Sequence, residues 1–248
     1  MNPKNNELKS INSIQFFTEL RNRFLRASFL LLILFSILLL FANDLYSVLT
    51  WPLIRFLPSG HLVAIQIVSP FYVPFKLAFT LAVFLSVPYF LYQVWAFMAP
   101  ALYRNEKRLL WYFLILSTTL FYLGVCFAYF VIFPLLFQFL AQIAPSNVVL
   151  SPDINEYFNF ATKLLLIFGL LFEIPLVMVL LVTASWTTVT HLSRLRSYTI
   201  VAAFILGMLL APPDIFSQTV LAVPIWLLYE LGLLLSRLVK PRTSHERI

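Results

Sequence analysis

Residues 157–182 read YFNFATKLLLIFGLLFEIPLVMVLLV, and Lys163 and Glu173 are the only charged side chains among them. A helix of about 20 mainly apolar residues crosses a hydrocarbon core about 30 Å thick, so this stretch predicts a membrane-spanning helix. Five segments of comparable composition lie on either side of it, at residues 24–42, 72–98, 109–140, 197–211 and 215–235. Backbone groups in lipid must be paired within a helix or a closed barrel, and the alternation of barrel strands is missing. The sequence therefore predicts an all-α, polytopic membrane protein with six transmembrane helices in one integral domain, residues 1–248.

The composition excludes a soluble globular protein. Hydrophobic residues make up 61% of the 248 residues and charged residues 11%, whereas about a quarter of an average globular chain is charged. Cys126 is the single cysteine, so an internal disulfide is impossible. It lies in an apolar run, and we therefore expect it to be a small residue of the core. The histidines are scattered at His61, His191 and His245, and no nucleophile triad, phosphate loop or pair of catalytic carboxylates is recognisable. We therefore expect no enzyme activity, no metal and no cofactor.

Lysine and arginine residues set the predicted orientation. With the N-terminus in the cytoplasm, fourteen of the seventeen basic residues lie in inner segments, and the outer loops carry only Arg55. Basic residues favour the cytoplasmic side of a membrane protein. We therefore predict that both termini are cytoplasmic, and that the net charge of +7 reflects topology rather than nucleic-acid binding.

The last two predicted helices are short. Residues 197–211 reach only about 22 Å at 1.5 Å per residue, and Pro212 and Pro213 then stop the helix. Asp214 directly precedes the last helix, residues 215–235, and we expect its side chain to cap that helix. Short helices beside long ones imply locally thinned lipid or an aqueous indentation.

Polar side chains inside the predicted spans are the candidate functional residues, because each is costly in lipid unless it is paired or hydrated. Glu173 lies a little past the middle of the fourth span, two residues before Pro175. It is either a hydrogen-bonded or protonated core acid, or a binding or proton-handling group in a cavity. Glu230 lies near the inner end of the last span, and we expect either that it snorkels or pairs with Arg237 or that it has a function. Gln218 lies one turn beyond Asp214.

Two charged clusters lie on the predicted cytoplasmic side. ELRNR at residues 19–23 precedes the first span, and RNEKR at residues 104–108 fills the first inner loop. Glu19 and Arg23 are four residues apart, in the favourable order for a helical ion pair. An acid among basic residues is, by itself, more often a solvated pair than a binding site.

Further fragments accompany these two clusters along the chain: NDLY at 43–46, SPF at 69–71, SVP at 86–88, YQVW at 92–95, PALYRNEKR at 100–108, FEIP at 172–175, APPDIFSQ at 211–218 and LYE at 228–230. Together with ELRNR at 19–23, they resemble the TatC family, the core membrane component of the twin-arginine protein translocase. Their order, their spacing and the number of spans agree along nearly the whole chain, and the combined pattern is highly specific. NDLY at 43–46 is similar to proteobacterial members.

The resemblance implies a receptor rather than a catalyst. Members bind, at their inner face, the paired arginines of the signal peptides of folded proteins. The acids of the two inner motifs correspond to Glu19 and Glu106, and the family's mid-membrane glutamate corresponds to Glu173. The basic residues of the same motifs complete the implied signal-peptide site: Arg21, Arg23 and Arg108. Many members have histidine where this chain has Phe16, so nothing is carried over to that position.

The resemblance also implies partners and a location. The expected partners are the single-span proteins TatA and TatB, which pack near the fifth and sixth helices, other TatC copies and membrane lipids, but no nucleic acid. The expected location is the bacterial cytoplasmic (inner) membrane, where transport draws on the proton-motive force. Two alternatives remain at this point: a secondary transporter or ion-conducting protein with Glu173 as proton relay, and a structural scaffold for other membrane subunits.

Overall fold

The computed structural model describes residues 21, 23, 25–41, 46–51, 63–65, 68–102, 107–143, 152–211 and 214–239, and for residues 70, 94–102 and 107–110 the backbone alone. In chain order the helices are α1 (Leu25–Leu39), α2 (residues 46–51), α3 (Ser69–Leu102), α4 (Lys107–Phe127), α5 (Phe133–Ile143), α6 (Ile154–Leu171), α7 (Ile174–Thr183), α8 (Val189–Arg194), α9 (Arg196–Leu210) and α10 (Ile215–Leu238). A π-helical segment, Ala128–Ile132, joins α4 to α5.

Six apolar helical stretches correspond, in chain order, to the six predicted spans. Four of them are long and apolar enough to cross a bilayer, and α1 and α9 are shorter apolar helices; the four are Phe71–Gln93, Trp111–Ile143, Ile154–Thr183 and Ile215–Leu238. Apart from an isolated bridge between Val63 and Asp153, the described part of the chain contains no β-structure. The all-α, polytopic membrane class is confirmed.

The last two helices differ from each other in length. α9 has 15 residues, which span about 22 Å, and is short as predicted. α10 has 24 residues, which span about 36 Å, and it continues through Leu238, whereas the predicted residues 215–235 would span about 32 Å and are already long enough to cross. No proline or glycine interrupts Ser236–Leu238. The predicted shortness therefore holds for α9, whereas α10 has the length of a full span.

The π-helical segment displaces the second half of the third span. The amide of Phe133 donates to the carbonyl of Ala128, five residues earlier, where a regular helix would bond four residues back. Pro134, the next residue, has no amide hydrogen and could not continue the regular pattern. One extra residue in the turn rotates α5 by about 100° relative to α4, since a helix has 3.6 residues per turn.

Buried aromatic rings form the centre of the core. Phe121, Phe133, Phe158 and Phe168 are fully buried within one cluster that also takes in residues of α3. Rings of this size bury a large apolar area and prefer edge-to-face contacts. Phe84 of α3 meets Phe121 in this way, with ring centroids 6.2 Å apart.

Two glycines let α4 and α6 touch. A Cβ atom at Gly169 would lie 2.5 Å from Cε2 of Phe121, and one at Gly124 would lie 2.5 Å from the carbonyl oxygen of Phe168. Small residues allow close approach of membrane helices. The sequence has no G-x-x-x-G motif, so single glycines on opposite helices produce this contact.

The outward faces of the helices are apolar, as lipid-facing surfaces are. Leu40, Phe71, Leu209 and Ile215 are among the large hydrophobic side chains that are at least 70% exposed. Cys126, expected in the core, is exposed on α4 instead. Lipid is as apolar as the protein interior, so hydropathy alone does not tell an inward-facing residue from a lipid-facing one.

The predicted outer end is held together by polar contacts. The hydroxyls of Tyr129 and Tyr157 donate to the carbonyl oxygens of Val48 and Leu49 in α2, each at 2.5 Å. These bonds tie α2 to the π-helical segment and to α6.

Asp153 fixes a second outer segment, residues 63–65. Its side chain accepts the amide of Ile65 at 3.0 Å and also caps α6 by accepting the amide of Glu156. The amide of Val63 donates to the carbonyl of Pro152. The start of α6 therefore holds part of the first outer loop.

Candidate functional site

The helix that carries Glu173 is broken at that residue. α6 ends at Leu171 and α7 begins at Ile174, and Phe172 and Glu173 form a turn between them with ψ angles of −15° and −18°. The amide of Glu173 bonds three residues back, to the carbonyl of Leu170. Pro175 has no amide hydrogen for the carbonyl four residues before it. The sequence FEIP thus interrupts the span at Glu173, the one acid within residues 157–182.

Glu173 is paired with Ser117 of α4. The Ser117 hydroxyl donates to Oε2 of Glu173 at 2.8 Å, Ser117 is fully buried, and Glu173 is 8% exposed. The second oxygen, Oε1, is buried and has no hydrogen-bond partner within the described residues. The arrangement is that of a buried acid with one oxygen hydrogen-bonded to Ser117.

The surroundings of this pair are apolar and tightly packed. Leu114, Leu176 and Leu180 form a buried cluster between α4 and α7. On the other side, a Cβ atom at Gly232 of α10 would lie 3.0 Å from Cα of Pro175. The broken helix is therefore enclosed by α4 and α10, and an unpaired carboxyl oxygen at this place is costly.

At the predicted inner end, Arg23 binds α3. Its Nη1 donates to the carbonyl oxygen of Gln93 at 3.4 Å and to Oε1 of the same residue at 3.3 Å. Arg21, the neighbouring predicted site residue, is exposed. Gln93 is not among the predicted site residues, although it lies in the matching fragment YQVW. A glutamine within an apolar span is the signal that could have revealed it.

Several predicted site residues lie outside what can be described. Glu19, Glu106, Pro212 and Pro213 fall outside the described residues, and for Arg108 the backbone alone is described, within α4.

Glu230 pairs with a different partner from the one that the sequence suggested. Its Oε2 accepts from Nη2 of Arg196 at 2.8 Å. Arg237 lies seven residues along the same helix, a rise of about 10 Å, whereas Arg196 begins the neighbouring helix α9. The pairing with Arg237 is therefore wrong, and the ion pair joins two helices instead of stabilising one.

The next residue, Tyr229, extends this joint. Its hydroxyl donates to the carbonyl of Leu192 at 2.6 Å, which attaches α8 to α10. Thr188 caps α8: its side chain accepts the amide of His191.

Asp214 caps α10, as predicted. Its carboxylate accepts the amide of Ser217 at 2.6 Å. One turn further, the backbone of Gln218 meets Gly207 of α9, where an added Cβ would lie 3.0 Å from the Gln218 carbonyl oxygen. Asp214 and Glu230 are sixteen residues apart on α10, about 24 Å, so they belong to opposite ends of the fold.

Lys76 takes part in a polar contact that the sequence reasoning did not anticipate. Its ammonium group hydrogen-bonds the side chains of Asn155 and Asn159 of α6. The two asparagines are four residues apart and therefore on one face of that helix, which was the available signal. The contact holds α3 against α6.

A family model described as Sec-independent protein translocase protein (TatC) matches residues 15–224 of the chain. The chain belongs to the TatC family. It is 48% identical over 236 residues to the Sec-independent protein translocase protein TatC of Haemophilus influenzae, covering 95% of this chain and 92% of that protein. The Escherichia coli K12 protein of the same name is 48% identical over 220 residues, which is 88% of this chain and 85% of that protein.

A solved structure has the same fold. The crystal structure of the twin arginine translocase receptor TatC aligns with a TM-score of 0.80 and 34% identity, covering 90% of this chain and 98% of that chain. As a TatC-family member the chain is a multi-pass protein of the cytoplasmic membrane and belongs to a protein-transport system.

The polar contacts among the described residues of this TatC-family chain lie in separate parts of the fold and do not form one site. Ser117 and Glu173 lie in the interior, Arg23 and Gln93 lie at the predicted inner end, and Asp214 lies at the opposite end. Within the described residues, no three potential metal ligands come together. The contacts at these places are hydrogen bonds.

Proposed function

We propose that this chain is a receptor for twin-arginine signal peptides and the core component of a translocase that exports folded proteins with the proton-motive force. The observation that carries the proposal is the match at 34% identity to a structure described as the twin arginine translocase receptor, together with relatives at 48% identity named Sec-independent translocase proteins.

The chemistry of the inner motifs supports a receptor for paired arginines. A guanidinium group is planar and always charged, and a carboxylate binds it with two parallel hydrogen bonds, which lysine cannot reproduce. Glu19 and Glu106 are two such acids on a face that is otherwise basic. In the proposal these acids bind the peptide, and the neighbouring arginines orient them and exclude other cations.

The contact between Arg23 and Gln93 supports bringing the two motifs together. Arg23 ends the first motif, and its side chain binds the inner part of α3. The second motif begins two residues after α3 ends at Leu102. Both motifs are thus attached to the same end of α3, and we assign to Arg23 the role of positioning Glu19, with Arg21 and Arg108 providing the flanking positive charge.

In the same proposal the membrane-embedded part of the chain receives the partners. The single-span TatA and TatB proteins would pack beside α9 and α10, whose outward residues, among them Phe204, Leu209 and Leu227, are apolar and exposed. Gln218 and Glu173 would supply hydrogen bonds at depth, and further TatC copies and lipids would cover the remaining faces.

Peptide binding by the purified chain tests the receptor function. We expect a twin-arginine peptide to bind, a Lys-Lys peptide to bind weakly, and Glu19→Gln and Glu106→Gln each to lower affinity. A charge-assisted hydrogen bond contributes roughly 1.5–3 kcal/mol, and since 1.4 kcal/mol is tenfold, the loss is on the order of tenfold to a hundredfold.

The matched control is Glu156→Gln, because Glu156 is an exposed acid at the predicted outer end. It should bind the peptide as the unmodified chain does. Wild-type affinity in both Glu19→Gln and Glu106→Gln would remove these acids from the binding site, and equal binding of the Lys-Lys peptide would overturn the receptor function.

A further inference from the structure

We propose that Ser117 is a positioning residue for Glu173: its hydroxyl holds the carboxyl group in one orientation and leaves Oε1 as the acceptor that is used during export. This inference rests on the proposed translocase function, and it goes beyond it by giving a role to a residue of α4.

The direction of the Ser117 hydrogen bond is unusual in this fold. Hydroxyl groups in membrane helices commonly donate to a carbonyl three or four residues earlier in their own helix. The described hydroxyls that do so are those of Ser36, Thr50, Ser86, Thr119, Thr183, Thr199 and Thr219. Ser117 instead donates across to the break between α6 and α7, to a carboxyl group 56 positions away.

The carboxyl group of Glu173 is held in one orientation by a hydrogen bond. A glutamate side chain has three rotatable bonds, and the donor from Ser117 limits the rotation of its outer end. The neighbouring residues Leu114, Leu176 and Leu180 provide no hydrogen-bonding side chains. The Ser117 hydroxyl is thus the one described polar side-chain group that fixes the carboxyl.

The result is a carboxyl group with two unequal oxygens. Oε2 is occupied by Ser117, and Oε1 is buried without a partner within the described part of the chain. A buried acceptor of this kind favours any hydrogen-bond donor that reaches it, because pairing removes the cost of its desolvation. Loss of the Ser117 hydroxyl would let the carboxyl turn and would leave both oxygens unpaired.

Export by the full chain in membranes with its partner subunits tests this role. Ser117→Ala should lower the export rate of a twin-arginine cargo on the order of tenfold, with membrane level and peptide affinity unchanged. Ser117→Thr keeps a hydroxyl and should export at near wild-type rates, and Ser117→Cys, a weaker donor, should lie between. Ser86→Ala is the matched control, because Ser86 is equally buried but bonds to its own helix.

A double-mutant comparison separates positioning from packing. If Ser117 acts through Glu173, adding Ser117→Ala to Glu173→Ala, which has no acceptor for the hydroxyl, should change export far less than adding it to the wild-type chain. Multiplicative effects, wild-type export in Ser117→Ala, or no recovery in Ser117→Thr would each overturn the proposal.

Infrared spectroscopy gives a readout that does not depend on transport. The carboxyl band that disappears in Glu173→Gln should shift in Ser117→Ala and return to its position in Ser117→Thr. An unshifted band would refute the positioning role even if the chain binds twin-arginine peptides. Failure of peptide binding with a shifted band would overturn the receptor function and leave the Ser117–Glu173 contact supported.

Discussion

The guanidinium group of Arg196 donates to the carboxylate of Glu230 across 2.8 Å and so joins the first turn of α9 to α10. The side chain of Arg196 is 41% exposed and that of Glu230 is 23% exposed. Nε of Arg196 is buried and has no partner within the described residues. The pair is therefore partly exposed to solvent. Its contribution to the free energy of unfolding should lie near that of a surface ion pair.

This pairing predicts a coupling between the two residues. Arg196→Gln and Glu230→Gln should each lower the free energy of unfolding, and their double mutant should show a coupling of about 0.2–1 kcal/mol, the range of partly exposed pairs. Thermal unfolding in detergent at low salt measures it. Glu230→Gln combined with Arg237→Gln is the control and should show no coupling; coupling of equal size there would contradict the assignment of Glu230 to Arg196.

Replacing a glycine at a helix contact should destabilise the packing more, the closer the added Cβ atom would lie to its neighbours. An alanine Cβ at position 124 would lie 2.5 Å from the backbone oxygen of Phe168, whereas at position 207 it would lie 3.0 Å from that of Gln218. Overpacking costs about 1–3 kcal/mol, so Gly124→Ala should lose more stability than Gly207→Ala. Ala202→Val adds volume on an exposed face and serves as the control in the same unfolding measurement.

The two tyrosines that bind α2 predict a local effect. Tyr157→Phe removes a hydrogen bond worth about 1 kcal/mol, so amide exchange in residues 46–51 should become about fivefold faster. Tyr129→Phe should act in the same direction, and Tyr112→Phe, which alters an exposed hydroxyl, should have no effect. Hydrogen exchange read by mass spectrometry measures this, and unchanged exchange in both variants would show that the hydroxyls do not hold α2.

Local sequence patterns predicted those features of the fold that depend on neighbouring residues. Apolar runs of sufficient length gave the six helices, because the cost of polar backbone in lipid leaves few alternatives. The position of Asp214 directly before an apolar run predicted that it caps α10, because capping involves residues only three positions apart.

Contacts between distant segments could not be predicted in the same way. The bond from Ser117 to Glu173 depends on how α4 packs against the break between α6 and α7, and no periodicity in either segment reports it. The sequence pattern favours Arg237 as the partner of Glu230, because a pattern reports neighbours along one helix and not residues of another helix. Cys126 was assigned to the core for a related reason, since lipid-facing and inward-facing residues have the same hydropathy. Glu19 and Glu106 rest on sequence reasoning alone and stay predictions.

The length of α9 predicts a mechanical role for the last helix pair. Its 15 residues span about 22 Å and leave a deficit of about 8 Å against the hydrocarbon core, while α10 beside it spans about 36 Å. A short apolar helix is accommodated by thinning of the bilayer around it, and thinned lipid gives partner helices a favourable place to dock.

Lengthening α9 tests this role. Four leucines inserted after Leu210 add about 6 Å and remove most of the deficit. We expect export of a twin-arginine cargo to fall while peptide affinity stays unchanged, because the inner motifs lie elsewhere in the chain. A Ser-Gly-Ser-Gly insertion at the same point adds as many residues to the connection but no apolar helix. It therefore distinguishes loss of the hydrophobic mismatch of α9 from a simple displacement of α10. Normal export by the leucine variant, or equal loss in both variants, would show that the short span is not part of the transport mechanism.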